Sequence, residues 1–392
     1  MGAGTAAGPP TPVDSTTRLM GVEEEYLVVD PKTRAVVPCA APVLELATAE
    51  LGECAAAEIT KFQVEGKTPP CADLSELLEH LRRMRSTMGA AAARLGLGVM
   101  ASGTPVLGDV VPPPINEHPR YELGVRTYRA LHDEQSVCAG HVHVHLPDRE
   151  RALLVSNHLR PWLPVLIALM ANSPFWMGRD TGYASWRTLT WGKWPVAGPP
   201  PYFDSAADFD RLIAVLTESG VLVDPGTIFW DVRPSARLPT LEVRVTDVPA
   251  TAEESALLAA LVRALVVVAL AEVERGDRGP RVSPELLRAA YWRAARDGLD
   301  GHGIDPGTGR LMTITDLVDD LIARVRDGLE EFGDLDAVTA LLARLRASGG
   351  GAQRQRAAHV RRGSFEDVVD FQLRQTVSGT LTSPQDLKAA NP

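Results

Sequence analysis

The stretch "GVEEEYLVVD", Gly21 to Asp30, constrains the fold more than any other part of this chain. Three consecutive glutamates open an apolar run that reads as a β-strand. Successive strand side chains point to opposite faces, so Glu23 and Glu25 share one face and Glu24 takes the other. Neighbouring carboxylates repel, and burying one unpaired costs several kcal/mol. A strand of this kind needs a cation to meet the charge.

Two more strands repeat the pattern. "AGHVHVHLP" alternates strictly and sets His141, His143 and His145 on one face. "PTLEVRVTD" does the same for Glu242 and Arg244, and "DVRPS" just before it supplies Arg233. Same-face neighbours on a strand stand about 7 Å apart. If these strands join one sheet, one face carries carboxylates, imidazoles and guanidinium groups together. Val22, Val142, Val144, Val243 and Val245 then make the opposite face apolar. That inverts ordinary patterning, in which the charged face looks outward. Alone, an E-x-E, an H-x-H or an E-x-R is common and says little; the set is what carries weight.

Carboxylates at sheet spacing suit hard, oxygen-loving cations such as Mg²⁺, which keep positions free for phosphate oxygens. Arginine clamps phosphate or carboxylate through two parallel hydrogen bonds. Together they are the parts of a phosphoryl-transfer site. No Walker A sequence and no kinase-type Gly-rich loop is present, so ATP would have to lie on the sheet itself. A second reading is a metal-dependent hydrolase with zinc on His141, His143 and His145, which leaves Arg233 and Arg244 without a task. A third, a non-catalytic ligand-binding protein, has to explain so many costly buried charges.

Composition narrows the class. The 392 residues are 45% hydrophobic, enough for a large core, and the net charge is −10. With no basic stripe, no nucleic-acid partner is expected. Cys39, Cys54, Cys71 and Cys138 show no C-x-x-C spacing and read as reduced thiols of a cytoplasmic protein. "ALLAALVRALVVVALAEVERGD" is interrupted by Arg263 and reads as a buried helix, so no membrane partner is expected.

Along the chain, residues 1–18 read as a disordered tail and 378–392 as a flexible one. Residues 19–377 read as a single catalytic domain whose C-terminal part is mostly helical. "DLSELLEHLRRMRSTMGAAAARLG" is a helix with Asp73 and Glu76 at capping-box spacing. Helices are also expected at 121–135, at 149–171 as one long apolar element, and near 364–377. "ASGGGAQRQRAAHVRRG" reads as a loop. Between 172 and 205 lies a Gly-, Pro- and aromatic-rich stretch holding Trp176, Trp186, Trp191 and Trp194, either a packed loop or a functional one. Strands mixed irregularly with helices indicate an α+β fold with a mainly antiparallel sheet.

"GVEEEYLVVD", "GHVHV", "NHLRPWLPVLIALMANSPFW", "GRDTGYASWR", "WDVRPS" and "TLEVRVTD" together resemble the carboxylate–amine ligases of the glutamate–cysteine ligase type 2 family, from about Leu19 to the last helix. The resemblance implies a glutamine-synthetase-like fold: a curved, mainly antiparallel sheet forming a funnel, with helices packed on its outer side. It implies ATP and Mg²⁺, an acyl-phosphate intermediate attacked by an amine, and small-molecule acid and amine substrates, by default L-glutamate and L-cysteine. By position, Glu23, Glu25, Glu65, His141 and Glu242 would bind metal. Arg233, Arg244 and His143 would bind nucleotide, with Glu25, Arg233 and Glu242 catalytic. Arg187, Trp186 and Tyr183 would lie on the substrate side. A homodimer is the expected assembly. Two positions depart from the family pattern. Lys61 stands where many relatives carry an acid, and it either removes a metal ligand or neutralises a phosphate. His145 stands where a small residue is expected and reads as exposed.

Overall fold

The computed structural model describes residues 19–134 and 136–378. The two expected tails therefore lie outside the described residues, apart from Ser378, which closes the last helix.

The charged strands do join one sheet. Its members are β1 (Met20–Val29), β2 (Ala55–Ala57), β3 (Gln63–Lys67), β4 (Gly98–Met100), β5 (Ala139–His145), β6 (Val232–Pro234) and β7 (Thr240–Asp247). The order is β6–β7–β5–β1–β3–β2, with β4 also paired to β1. Every pairing is antiparallel. β1 is central because its long apolar run is fully buried from Tyr26 to Val29. β5 pairs along its first half and β4 along its last three residues, which leaves a gap on that edge at Glu25 and Tyr26.

Helices cover the apolar face. Leu74–Arg94 buries Leu74, Leu77, Leu81, Met84 and Met88, and Asp73 caps it by accepting from Ser75 N and Glu76 N. Ala252–Glu274 packs beside it on β1 and β5, with Thr251 and Glu254 forming a capping box. This helix and the 149–170 segment are each long and apolar enough to cross a membrane, but most of each is buried within this core. Arg263 is buried and its charge is paired: it donates to Ala72 O and forms an ion pair with Asp334.

Several expected elements change at their ends. The 121–135 helix becomes Pro119–Tyr128 followed by a 3₁₀ segment, because Arg129 turns to φ 53°. The 149–171 helix is divided by a 3₁₀ turn at Arg160–Trp162, next to Pro161 and Pro164, which lack the N–H a continuous helix needs. The expected loop at 347–363 contains a helix, Gly351–Val360. Gly349 ends the preceding helix at φ 78°, the Gln353 side chain caps Gly350 N, and buried Arg354 pairs with Glu254.

The 172–205 stretch is built, not open. It contains a two-residue hairpin (Phe175–Trp176 with Arg179–Asp180), a helix at Trp186–Trp191, and Ala197–Gly198 paired in parallel with Phe229–Trp230. Asp247, at the end of β7, holds it to the sheet. Its carboxylate accepts from Asn172 N at 2.7 Å, Ser173 Oγ at 2.6 Å and Ser185 Oγ at 2.7 Å.

Candidate active site

The face of the sheet away from the helices floors a cavity of about 540 Å³. The strand register explains its contents, because cross-strand partners share a face. Arg233 stands opposite Glu242, Glu242 opposite His143, His141 opposite Glu23, and Glu25 opposite Glu65. Lys67, opposite Glu23, completes the row and lies 2.7 Å from Glu65. All of these residues line the cavity.

One extra residue in β7 between Val243 and Thr246 shifts the register against β5. Such a bulge leaves carbonyls off the ladder. Arg187 meets them, donating to Arg244 O at 3.2 Å and Val245 O at 3.3 Å. Arg244 itself donates to Glu242 at 2.7 Å, and Arg233 donates to the same carboxylate at 3.0 Å.

The electrostatics divide the cavity in two. At the arginine end, burial opposes ionisation of Glu242, but Arg244 and Arg233 outweigh it and hold the carboxyl well below its usual range. Burial likewise works against Glu23, and the imidazoles beside it, His141 hydrogen-bonded through Nδ1 at 3.3 Å and His143 with Nε2 3.6 Å away, reverse the effect and keep it low. Burial and Arg244 push His141 down to about 4. At the other end three carboxyls meet: Glu25, Glu58 and Glu65, with one oxygen from each within 4.8 Å of the others. Burial and Glu65 push Glu25 up to about 7, burial and Glu25 push Glu58 up to about 7, and burial with Glu58 and Glu23 pushes Glu65 up to about 8. This is the signature of like charges sharing a dry site.

Residues 19–371 match the glutamate–cysteine ligase family 2. The chain belongs to that family. A Saccharopolyspora erythraea protein provisionally named glutamate–cysteine ligase 2-1 is 47% identical over 358 residues, 91% of this chain and 94% of that protein. A Mycolicibacterium smegmatis relative, provisionally named glutamate–cysteine ligase 2-3, is 42% identical over 93% of this chain and its own full length. Among solved structures, a Francisella tularensis glutamate–cysteine ligase in complex with AMP superposes with a TM-score of 0.64 at 12% identity, covering 94% of this chain and 91% of that one. A Pasteurella multocida bifunctional glutathione synthetase gives 0.68 at 14% identity, covering 93% of this chain and 53% of that one. These two share the fold. As a family 2 member, the chain is a carboxylate–amine ligase with the glutamine-synthetase-like sheet and outer helices.

For a family 2 ligase the donor set fits hard cations. Glu25, Glu58 and Glu65 offer an all-oxygen group, and Glu23, Glu65 and His141 offer a second. The Nε2 atoms of His141 and His143 are buried and find no hydrogen-bond partner among the described residues, which suits atoms waiting for a ligand.

Glu58 was not among the residues singled out by strand periodicity. It lies between β2 and β3, where no i, i+2 rule applies, and only the fold sets it against Glu25 and Glu65. Lys61 does not line the cavity; its backbone bonds to Pro114 and Ala40 instead. His145 is half-buried, lies beyond the lining, and does not join His141 and His143 in one ligand set, which leaves the zinc hydrolase reading without support. Tyr183 and Trp186 also lie off the cavity. Ser185 caps the short helix so that Arg187 and Trp191, four residues apart, face the cavity, and Trp186 instead packs on Tyr183. The aromatic wall is Trp191, Trp194, Phe229, Tyr121 and Tyr128. Arg244 sits 5.8 Å from the ring centres of both Trp191 and Phe229.

Proposed function

We propose that this family 2 ligase is ATP-dependent and activates its acid as an acyl phosphate, which the amine then attacks, releasing ADP and phosphate. The observation that supports this reading is the pairing, over one sheet face, of a three-carboxylate group, Glu25 and Glu65 buried and Glu58 half-buried, with the Arg233–Glu242–Arg244 cluster. The first suits Mg²⁺, which Glu25, Glu58 and Glu65, and beside them Glu23, Glu65 and His141, would hold, with Glu242 at the arginine end of the row; bound there, it would neutralise phosphate charge. The second presents guanidinium donors to phosphate oxygens. A free carboxylate does not react with an amine at neutral pH, because oxide is too poor a leaving group. Phosphorylation replaces that leaving group with phosphate. A carboxylate or histidine of the cavity then takes the amine proton. L-Glutamate and L-cysteine are the first pair to try, given the names of the relatives.

The test uses ¹⁸O-labelled acid with amine and ATP, read by phosphorus NMR. The label is expected in inorganic phosphate, with ADP formed. Label in AMP, with pyrophosphate released, would overturn the acyl-phosphate route. A parallel screen of acid–amine pairs for ADP release, with mass detection of the amide, identifies the substrates.

A further inference from the structure

Another donor cluster lies outside the cavity, where β3 hands over to the Leu74–Arg94 helix. Cys71 pairs with the first residue of β1 through two backbone hydrogen bonds, Met20 N to Cys71 O at 2.9 Å and Cys71 N to Met20 O at 2.8 Å. Two residues later Asp73 caps the helix. On its first two turns Glu76 and His80 stand at i and i+4, on the same side, 3.7 Å apart. The Cys71 Sγ, a Glu76 carboxylate oxygen and a His80 ring nitrogen all lie within 4.8 Å of one another.

We propose that Cys71, Glu76 and His80 form a second metal site, separate from the cavity and suited to zinc. A thiolate, an imidazole and a carboxylate are the ligands of a borderline-soft divalent ion; Mg²⁺ would refuse the sulfur. With bonds of roughly 2.0–2.3 Å, tetrahedral ligands stand roughly 3.5 Å apart, so ligand atoms now within 4.8 Å of one another need to close by at most about 1.3 Å. Glu76 is exposed and His80 half-buried, so side-chain rotation alone can supply that movement. A water on the solvent side fills the fourth position.

The surroundings favour a cation. Cys71 is 1% exposed, and the carboxylates of Glu76 and Asp73 put negative charge beside it. The one ion-pair partner of Glu76 among the described residues is His80. On binding, the Cys71 S–H, which now donates to Pro69 O at 3.3 Å, gives its proton to solvent and the sulfur takes the metal bond. The consequence is mechanical. The ion would tie the start of β1, which carries the three glutamates, to the helix that carries Arg85, the partner of Glu24.

Cobalt(II), titrated into metal-stripped protein under a reductant, tests this, because thiolate-to-cobalt charge transfer reports sulfur ligation and ignores the all-oxygen and histidine groups of the cavity. The expected result is a charge-transfer band that saturates near one equivalent and is displaced by zinc. It should vanish in Cys71→Ser and survive in Cys138→Ser and Glu58→Gln. His80→Gln, on a half-exposed helix face that tolerates change, should weaken binding by at least about 10–100-fold. That variant keeps the test decisive if Cys71→Ser does not fold. No band in the wild type, a band that persists in Cys71→Ser, or unchanged affinity in His80→Gln would each overturn the proposal.

Discussion

Adjacent glutamates on one strand meet opposite fates. Glu24 points to the helical face and is fully buried. Arg85 donates to it through Nε at 3.0 Å and Nη2 at 2.5 Å, Tyr26 OH donates at 2.5 Å, and Ser255 Oγ donates as well. Glu25 points the other way and meets Glu58 and Glu65; the one hydrogen-bond donor to it among the described residues is the Ala139 N–H, at 2.7 Å. The outer face has completed its charge balance within the chain. On the cavity face the arginines balance Glu242 and Lys67 sits beside Glu65, but three carboxyls still meet at Glu25, Glu58 and Glu65, and an excess of negative charge in such a place is what makes a site receptive to cations. The triple glutamate therefore sets one charge, paired within the helical face, between two that face the cavity.

The sharpest way to break this comparison is to swap the charges face by face. Glu24→Gln leaves the Arg85 guanidinium buried without its counter-ion, which costs about 3–5 kcal/mol. Denaturant unfolding should show that loss, while Mg²⁺ dependence of activity stays unchanged in whatever protein folds. A loss below 1 kcal/mol would mean that Glu24 is not a structural charge. Glu58→Gln should do the reverse. Activity falls on the order of 10³-fold, the scale of losing one strong transition-state interaction, and the metal-free protein becomes more stable because a repulsion is gone. Near-normal turnover at saturating Mg²⁺ would remove Glu58 from the site.

Arg233→Lys keeps the charge and loses the planar fork, so turnover should fall about 10²-fold. If only the KM for the amine changes, Arg233 reads the substrate and not phosphate.

A gentler test varies pH. Glu25, Glu58 and Glu65 have folded-state values raised from 4.5 to about 7, 7 and 8. Below pH 4.5 they are protonated folded or unfolded, and they cost nothing. Above it the unfolded chain ionises first, so the stability of the metal-free protein falls as pH rises from about 4.5 to 8. Each group still protonated in the fold adds up to about 1.4 kcal/mol per pH unit. Mg²⁺ or Glu58→Gln should flatten that slope; an unchanged slope in both would show that the carboxyls do not repel. The smallest effect belongs to His145→Ala, which lies off the cavity and should leave turnover within about twofold, the scale of an ordinary surface change. A hundredfold loss would bring the third histidine back into the site.

The parts of this site readable from the sequence are those on strands. Alternation alone assigned Glu23, Glu25, His141, His143, Glu242 and Arg244 to shared faces and sent Glu24 away from them, since a strand period of two admits no other arrangement. Helix period and capping-box spacing marked Leu74–Arg94 in the same local way, and the apolar run from Ala256 marked most of Ala252–Glu274. Which strands are neighbours was not local. The order β6–β7–β5–β1–β3 depends on how distant segments pack, and it turned four separate pairs into one row of charges. Glu58 and Lys67, the bulge that Arg187 closes, and the choice of Trp191 over Trp186 for the cavity wall were likewise decided by tertiary structure. A side chain on a loop, or at a bulge, takes its direction from contacts made tens to hundreds of residues away, and no period along the chain encodes them.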